Sequence, residues 1–311
     1  MSRIVFMGTP DFAVPCLKAL HKDHDVVLTV TQKDKKTGRG QKWLETPVKK
    51  TAQALNCPVF QPDNVNTEES IQTIQAYHPD FIVVVAYGQI LSQKILNIPK
   101  IDILNVHASL LPKFRGAAPI QWSIIRGEKI SGVSIMRVVK ALDAGPVYAM
   151  REVIIDEKMT AGMLHDCLMN LGSQMITETI RDILEKDIKP NDQDEILTTY
   201  APMLQKSMSH IDWKQDVLHV HNLIRGLTPW PSAVFNYKGK MVKISDTSYK
   251  IMAHGVEPGT ILEVGPSRLA ITCKDGVIYV KDVQFPGKKK MSIEAFLKGN
   301  QLEKGYKIGD D

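Results

Sequence analysis

Apolar residues recur along the first half of the chain at two different periods. Short continuous apolar runs ("RIVFMG", "DVVLTVTQ", "CPVFQP", "FIVVVAYG", "ILNVH") are separated by segments with helical apolar spacing. The runs predict strands buried on both faces. The segments between them predict helices over residues 11–21, with Asp11 as N-cap, and over 47–56 and 67–77. "SGVSIMRVV" predicts a further strand, "ALDAGPVYAMREVII" a loop and a strand, and residues 160–186 a long helix capped by Thr160. Unbroken apolar strands alternating with helices imply a doubly wound, mostly parallel α/β sheet. Such sheets bind ligands beyond the carboxyl ends of their strands.

After Lys186 the pattern changes. Residues 189–206 are polar, Pro-containing and aperiodic, as in a linker between a domain of residues 1–188 and one of residues 207–311. The second domain opens with a helical segment at 216–225. Closely spaced strands follow, with hairpin turns expected at Lys238-Gly239 and Asp275-Gly276, which suggests a small β-barrel. Composition is that of a globular chain, 43% apolar and 23% charged, and no apolar run approaches the roughly 20 residues that span a bilayer. The N-terminus does not read as a signal peptide. The four Cys are scattered without a CxxC pair, which suits reduced thiols in the cytoplasm. With no coiled-coil seam, a monomer is the default expectation. His219 and His221 in "HVHNL" stand two apart in a helical segment and so do not share a face; no metal is expected there.

The chemistry gathers in "LNVHASLLPKFRGAAPIQW", from Leu104. Strand alternation puts Asn105 and His107 on one side at a strand's carboxyl end. Pro112 and Gly116 make the following stretch a loop whose backbone is available to a flat polar ligand. Asp143 lies in "KALDAGP", a loop between two strands, where Asp is also an ordinary turn former. If that loop folds over the same sheet edge, an Asn/His/Asp set results. An Asn amide N–H can stabilise an oxyanion, an imidazole can take a proton from an attacking amine, and a carboxylate bonded to the imidazole would fix its tautomer. This is equipment for acyl transfer to an amine, and it does not name the acyl group. A plain core histidine and a plain turn remain open at this point. No GxGxxG follows the first strand, which is "MGTPDF", so a dinucleotide site is disfavoured; no Cys stands beside the Asn/His pair to serve a thiol hydrolase.

Together, "LNVHASLLPKFRGAAPIQW" and "LDAGPV" resemble the signature of the folate-dependent formyltransferases. "RIVFMGTPDFAVPCL" and "LIRGLTPWPSAVF" are similar to the branch of that family that acts on tRNA. The resemblance implies a Rossmann-like first domain that binds 10-formyltetrahydrofolate, and an OB-like second domain that contacts tRNA. It implies formyl transfer to the α-amino group of the methionyl initiator tRNA, with no metal. Asn105, His107 and Asp143 match the family's catalytic trio. Ser109, Leu110, Leu111 and Pro112 match its folate loop, and Gln89, Ile90 and Leu91 its pterin-lining stretch. The basic segment "QKDKKTGRGQKWLETP" matches an inserted loop that contacts the acceptor end, with Arg39 as the key residue and Lys36 and Lys42 beside it. By composition alone this segment suits a solvated loop equally. Lys113 and Arg115, next to the catalytic loop, are expected to meet terminal phosphates.

Net charge supports a polyanionic partner only weakly. The chain has 39 Lys and Arg against 34 Asp and Glu, and residues 207–311 hold 15 of the former and 11 of the latter. Two other functions stay open on the sequence: a formyltransferase for a small amine such as an amino sugar nucleotide, and an RNA-binding protein on an inactive scaffold.

Overall fold

In the first strands nearly every side chain is buried, because β-branched residues sit inside a sheet covered on both faces. The computed structural model describes residues 1–37 and 42–308. The chain runs β1 (Arg3–Gly8), α1 (Val14–Asp23), β2 (Asp25–Val30), β3 (Lys35–Thr37), β4 (Lys42–Leu44), α2 (Pro47–Ala54), β5 (Val59–Phe60), α3 (Glu68–Gln75), β6 (Phe81–Val85), α4 (Gln93–Leu96) and β7 (Asp102–His107). It continues through α5 (Pro119–Ile125), β8 (Ile130–Arg137), β9 (Val147–Ile154) and α6 (Ala161–Lys186). The seven-stranded sheet has the order β5-β2-β1-β6-β7-β8-β9. Pairing is parallel from β5 to β7 and antiparallel between β7 and β8. This is the expected Rossmann-like architecture. The strand order reverses direction at β1, so β6 and β7 lie on the far side of the switch point.

The helix starts follow local chemistry. Thr46, Thr67 and Thr160 accept hydrogen bonds from the backbone N–H groups of Lys49, Ser70 and Met163. Asp11 is not the N-cap expected for the first helix. Residues 11–13 form a 3₁₀ turn, and the helix begins at Val14 with Pro15 in its first turn, where a missing N–H costs nothing.

The remaining elements are α7 (Val217–Gly226), β10 (Ala233–Tyr237), β11 (Lys240–Ile251), β12 (Ile261–Gly265), β13 (Arg268–Thr272), β14 (Gly276–Gln284), β15 (Met291–Ser292) and α8 (Ile293–Leu297). Their sheet is antiparallel in the order β10-β11-β14-β13-β12, with β15 on β14. Among the described residues no pairing joins β10 to β12, so this OB-like unit is partly open. The turn at Lys238-Gly239 is as expected, with both residues at positive φ. Gly276 instead belongs to β14, and Cys273 N–H closes the turn onto the Gly276 carbonyl at 2.7 Å.

Two compact units result, and they are not consecutive halves. The first comprises Met1–Gly116, Ser131–Val153 and His165–Ala201. The second comprises Ala117–Ile130, Ile154–Leu164 and Pro202 onward. Ile125 shares a buried cluster with Val217, Val220 and Ile224, which is why α5 folds with α7 rather than with the sheet. The stretch 189–201 has the irregular backbone of a linker, yet it is hydrogen-bonded onto the first unit. Asn191 and Val147 exchange N–H···O bonds at 2.7 and 2.9 Å, and Ala201 N–H donates to the Arg115 carbonyl at 2.8 Å. No helix of the described residues is long and apolar enough to cross a membrane.

Candidate active site

β7 ends in the middle of the first sheet, between β6 and β8. Its residues Asn105 and His107 share a face. His107 is buried, at 6% exposure. Its Nε2 lies 3.0 Å from the Phe114 carbonyl oxygen, and its Nδ1 lies 3.7 Å from Asp143 Oδ2. A carbonyl only accepts, so Nε2 carries a proton in that contact and Nδ1 is the atom left to gain or lose one. The 3.7 Å separation exceeds a hydrogen bond. The Phe114 backbone, rather than the expected Asp143 carboxylate, therefore sets the tautomer. Asp143 instead presents a negative charge to Nδ1 while its Oδ2 accepts from Gly116 N–H at 2.8 Å. The half-buried Asn105 amide meets no hydrogen-bond partner among the described residues.

This constellation rests on unusual backbone. Phe114 has φ +61°, Asp143 φ +48° and Gly116 φ +117°. A side chain at 116 would put its Cβ 2.9 Å from the Ala201 carbonyl oxygen as well as straining the backbone. Gly145 is tighter still, with a Cβ there falling 1.9 Å from the Arg137 carbonyl oxygen.

The loop that carries the expected folate contacts is more occupied than its sequence suggests. Ser109 is buried; its hydroxyl donates to the Lys113 carbonyl at 2.6 Å. The Ser134 hydroxyl donates to the Ser109 carbonyl at 2.7 Å and accepts from Leu111 N–H at 3.1 Å. Lys113 N–H donates to the Leu110 carbonyl at 3.1 Å, and Thr199 N–H to that of Pro112 at 3.4 Å. Most of the backbone expected to be open to a ligand is thus already paired. Leu111 packs with Met136 and Val147, and Leu110 lies over Gly132, whose missing side chain makes room for it. Pro112 and Leu111 also line a cleft of about 260 Å³ with Tyr148 and Gln193. In the stretch 89–91, Gln89 spends its amide on Val65 N–H (2.9 Å) and the Asp63 carbonyl (3.2 Å), and Leu91 is buried. Of the three, Ile90 is the exposed one, at 76%.

Of the residues expected to reach phosphate, Arg115 is unavailable. It is 3% exposed, donates to Gln193 Oε1 from Nε and Nη2 (3.1 and 2.8 Å), and makes a bidentate pair with Glu195 (3.1 and 2.7 Å). These bonds push the guanidinium pKa up and hold the Glu195 carboxyl below its ordinary range. Lys113 is exposed beside it. Lys36 lies on β3, with Nζ 5.4 Å from the ring centre of the exposed Trp43 on β4; Lys42 opens β4 opposite Thr37. Arg39 lies outside the described residues. The basic segment is therefore a two-stranded ribbon at its base, which its charge pattern did not predict.

Sequence reasoning missed Gln193 altogether. Its Nε2 donates to the Asp143 carbonyl (2.8 Å) and the Gly145 carbonyl (2.7 Å). Nothing in the acidic, aperiodic stretch around it, which also holds Asn191, marks this amide out. Also missed was a polar cluster around the buried Asp102 at the start of β7. There Arg137 donates to both Asp102 oxygens at 3.0 and 2.8 Å and to the Tyr148 hydroxyl at 2.9 Å, and burial pushes the Tyr148 hydroxyl up to about 12.

Among the described residues no group of three or more His, Cys, Asp or Glu is placed to hold a metal. His221 is buried and bonded to Thr247 Oγ1 (2.9 Å) and the Glu157 carbonyl (3.1 Å), while His219 is exposed.

The formyl transferase family matches residues 2–180 of the chain, and that family's C-terminal domain matches residues 203–301. The methionyl-tRNA formyltransferase of Clostridium novyi (strain NT) is 45% identical over 302 residues, covering 97% of this chain and 98% of that one. Among solved structures, the sugar 3N-formyltransferase WlaRD superposes with a TM-score of 0.67 at 22% identity, over 93% of this chain and 99% of its own. A methionyl-tRNA formyltransferase from Clostridium thermocellum superposes with a TM-score of 0.55 at 18% identity, over 92% and 99%. At such identities the superpositions speak for the fold.

Proposed function

Because the chain belongs to the formyl transferase family, we propose that it moves a formyl group from 10-formyltetrahydrofolate to the α-amino group of methionine on the initiator tRNA. The observation that carries the chemistry is the convergence at the end of β7. An Asn amide stands two residues before an imidazole on one strand face, and that imidazole's Nδ1 lies 3.7 Å from a carboxylate. The choice of acceptor rests on full-length identity to relatives that bear that name.

The donor fits the residues present, since the Asn105 amide offers a carbonyl oxygen the hydrogen bond it otherwise lacks. When bound, the folate supplies an activated formyl carbon. Asn105 stabilises the negative charge that develops on the carbonyl oxygen. His107 takes the proton of the attacking amine at Nδ1 and would give it up again to the nitrogen of the departing tetrahydrofolate as the donor carbon–nitrogen bond breaks. Its Nε2–H stays on the Phe114 carbonyl, so the ring is held while the proton arrives. Asp143 offsets the positive charge this creates. Ile90, Leu110 and Pro112 contact the folate by their side chains, and the basic segment, through Lys36, Arg39 and Lys42, grips the acceptor end together with Lys113 of the catalytic loop. The enzyme acts as a monomer in the cytoplasm.

The test is direct. Purified protein is supplied with 10-formyltetrahydrofolate and charged initiator tRNA, and N-formylmethionine is sought on the RNA. Its appearance supports the proposal. Formylation of free amino sugars alone would replace the acceptor, and RNA binding without turnover would remove the enzyme.

A further inference from the structure

Asp143 sits in a left-handed backbone conformation on a loop between two strands, and the loop's own backbone closes there through one long bond, Ala144 N–H to the Ala141 carbonyl at 3.4 Å. Something must hold it within reach of His107. Its side chain is held by one bond, from Gly116 N–H. Its backbone is held from the other side by a residue fifty positions away. We propose that Gln193 is a positioning residue for the reaction: it clamps the loop of residues 143–145 so that the Asp143 carboxylate faces His107 Nδ1.

The carboxamide of Gln193 is fully used. Its two N–H bonds go to the carbonyls of Asp143 and Gly145, and its oxygen accepts twice from Arg115. Arg115 is fixed in turn by the bidentate pair with Glu195. Arg115 also adjoins Gly116, whose N–H holds the Asp143 carboxylate. Arg115 N–H donates to the Thr199 carbonyl at 2.9 Å, and Phe114 N–H to Thr199 Oγ1 at 2.9 Å. Phe114 is the residue whose carbonyl fixes the His107 tautomer. The stretch 193–201 therefore fastens both supports of the imidazole: the carbonyl behind Nε2 and the carboxylate before Nδ1. This explains why a buried arginine stands beside a reactive histidine without facing it. Its charge is used to orient an amide. A glutamine suits the central place because it both donates and accepts; a glutamate or a leucine there could not do both.

The inference rests on the proposed formyl transfer, so its test has one arm that needs no turnover. Gln193→Glu keeps the size and the oxygen that Arg115 needs while removing the donors to the 143–145 loop. Gln193→Ala removes both. Amide hydrogen exchange is measured across the chain, and the expected result is faster exchange in residues 140–146 with β1 and β6 unchanged. In the formylation assay both variants are expected to lose on the order of tenfold in kcat, with KM for either substrate within about twofold of the parent. In an Asp143→Ala background the same change at 193 should cost nothing further, because a residue acting through Asp143 has nothing left to position. A merely structural role would give additive losses. Unchanged exchange in 140–146, or a full tenfold loss on top of Asp143→Ala, overturns the inference. A parent chain that moves no formyl group would instead sink the functional proposal, while the exchange arm still decides whether the clamp exists.

Discussion

His107 shows how little of a reactive group's state is written in its own letter. The residue type and its place two after Asn105 at a strand end were legible, because strand alternation and the apolar run fix both. Which ring nitrogen is committed to a hydrogen bond was not. It follows from the Phe114 carbonyl, a backbone group of a residue at positive φ, and no side-chain pattern announces it. Arg115 misled for the complementary reason. A basic residue beside a site reads as a free cation, but its partners are 78 and 80 positions away in a stretch without period. Asp143 was legible as a loop carboxylate, and its distance from the ring corrects the form of its action. At 3.7 Å it lies beyond hydrogen-bond reach of Nδ1 and faces it by charge, without a shared proton. Replacing it by Asn separates the two. Asp143→Asn keeps an oxygen for Gly116 N–H and so keeps the loop, yet removes the charge that stabilises a protonated ring. The expected outcome is a fall in kcat on the order of 10²-fold with little change in melting temperature, read from steady-state kinetics and thermal denaturation side by side.

Among the elements, the strands and most helices of the first sheet were evident from periodicity, whereas the ribbon of β3 and β4 was not. Its three-residue strands hold three lysines in six positions, and strand propensity alone would not form them; their antiparallel pairing does. A ribbon carrying Lys36 beside an exposed Trp43, with Arg39 between its strands in sequence, suits a ligand with phosphates and flat bases. Arg39→Ala is expected to raise KM for charged tRNA roughly tenfold, the loss of one charge-assisted contact. KM for the folate donor should stay unchanged, and initial rates against each substrate in turn check this. α7 gives a different kind of prediction. His221 on its buried face donates from Nε2 to the Glu157 carbonyl and accepts from the Thr247 hydroxyl at Nδ1, an arrangement that needs the neutral ring. Burial lowers its pKa from the usual 6.5. The unfolded chain then takes the proton first, so the stability this group contributes is present above about pH 6.5 and is lost as pH falls below it toward the lowered folded value. His24 in the first unit shifts in the same direction, so the parent alone does not isolate α7. Denaturant midpoints at pH 7.5 and 5.5 should differ less in His221→Gln than in the parent.

At the scale of the whole molecule, the sequence divided the chain too simply. A change in texture near residue 188 marks where helical period ends, and it carries no information about which core a segment joins. Residues 117–130 and 154–164 precede that point yet cluster with the second unit, since Ile125 and its neighbours find their apolar partners on α7. The polar stretch after it, linker-like in composition, is bound to the first unit and carries Gln193. Charge is the property that composition did convey at this scale. The excess of +5 is small, and 15 Lys and Arg against 11 Asp and Glu beyond residue 206 leave the second unit with most of it. So weak a mean cannot by itself hold a polyanion; local groups such as the β3–β4 ribbon must add to it. The two contributions make a joint prediction about salt. If about three phosphates are neutralised, binding releases their counterions, and affinity should fall roughly 20- to 40-fold between about 50 and 200 mM monovalent salt. The site proposed for the folate donor is made mostly of apolar side chains and one amide, so its KM should move no more than a few-fold over that range. Filter binding of the tRNA and initial rates against folate, both taken across the salt series, separate these dependences. Parallel slopes would mean that RNA is held without the basic groups, and both the ribbon and the second unit's charge would lose their assigned role.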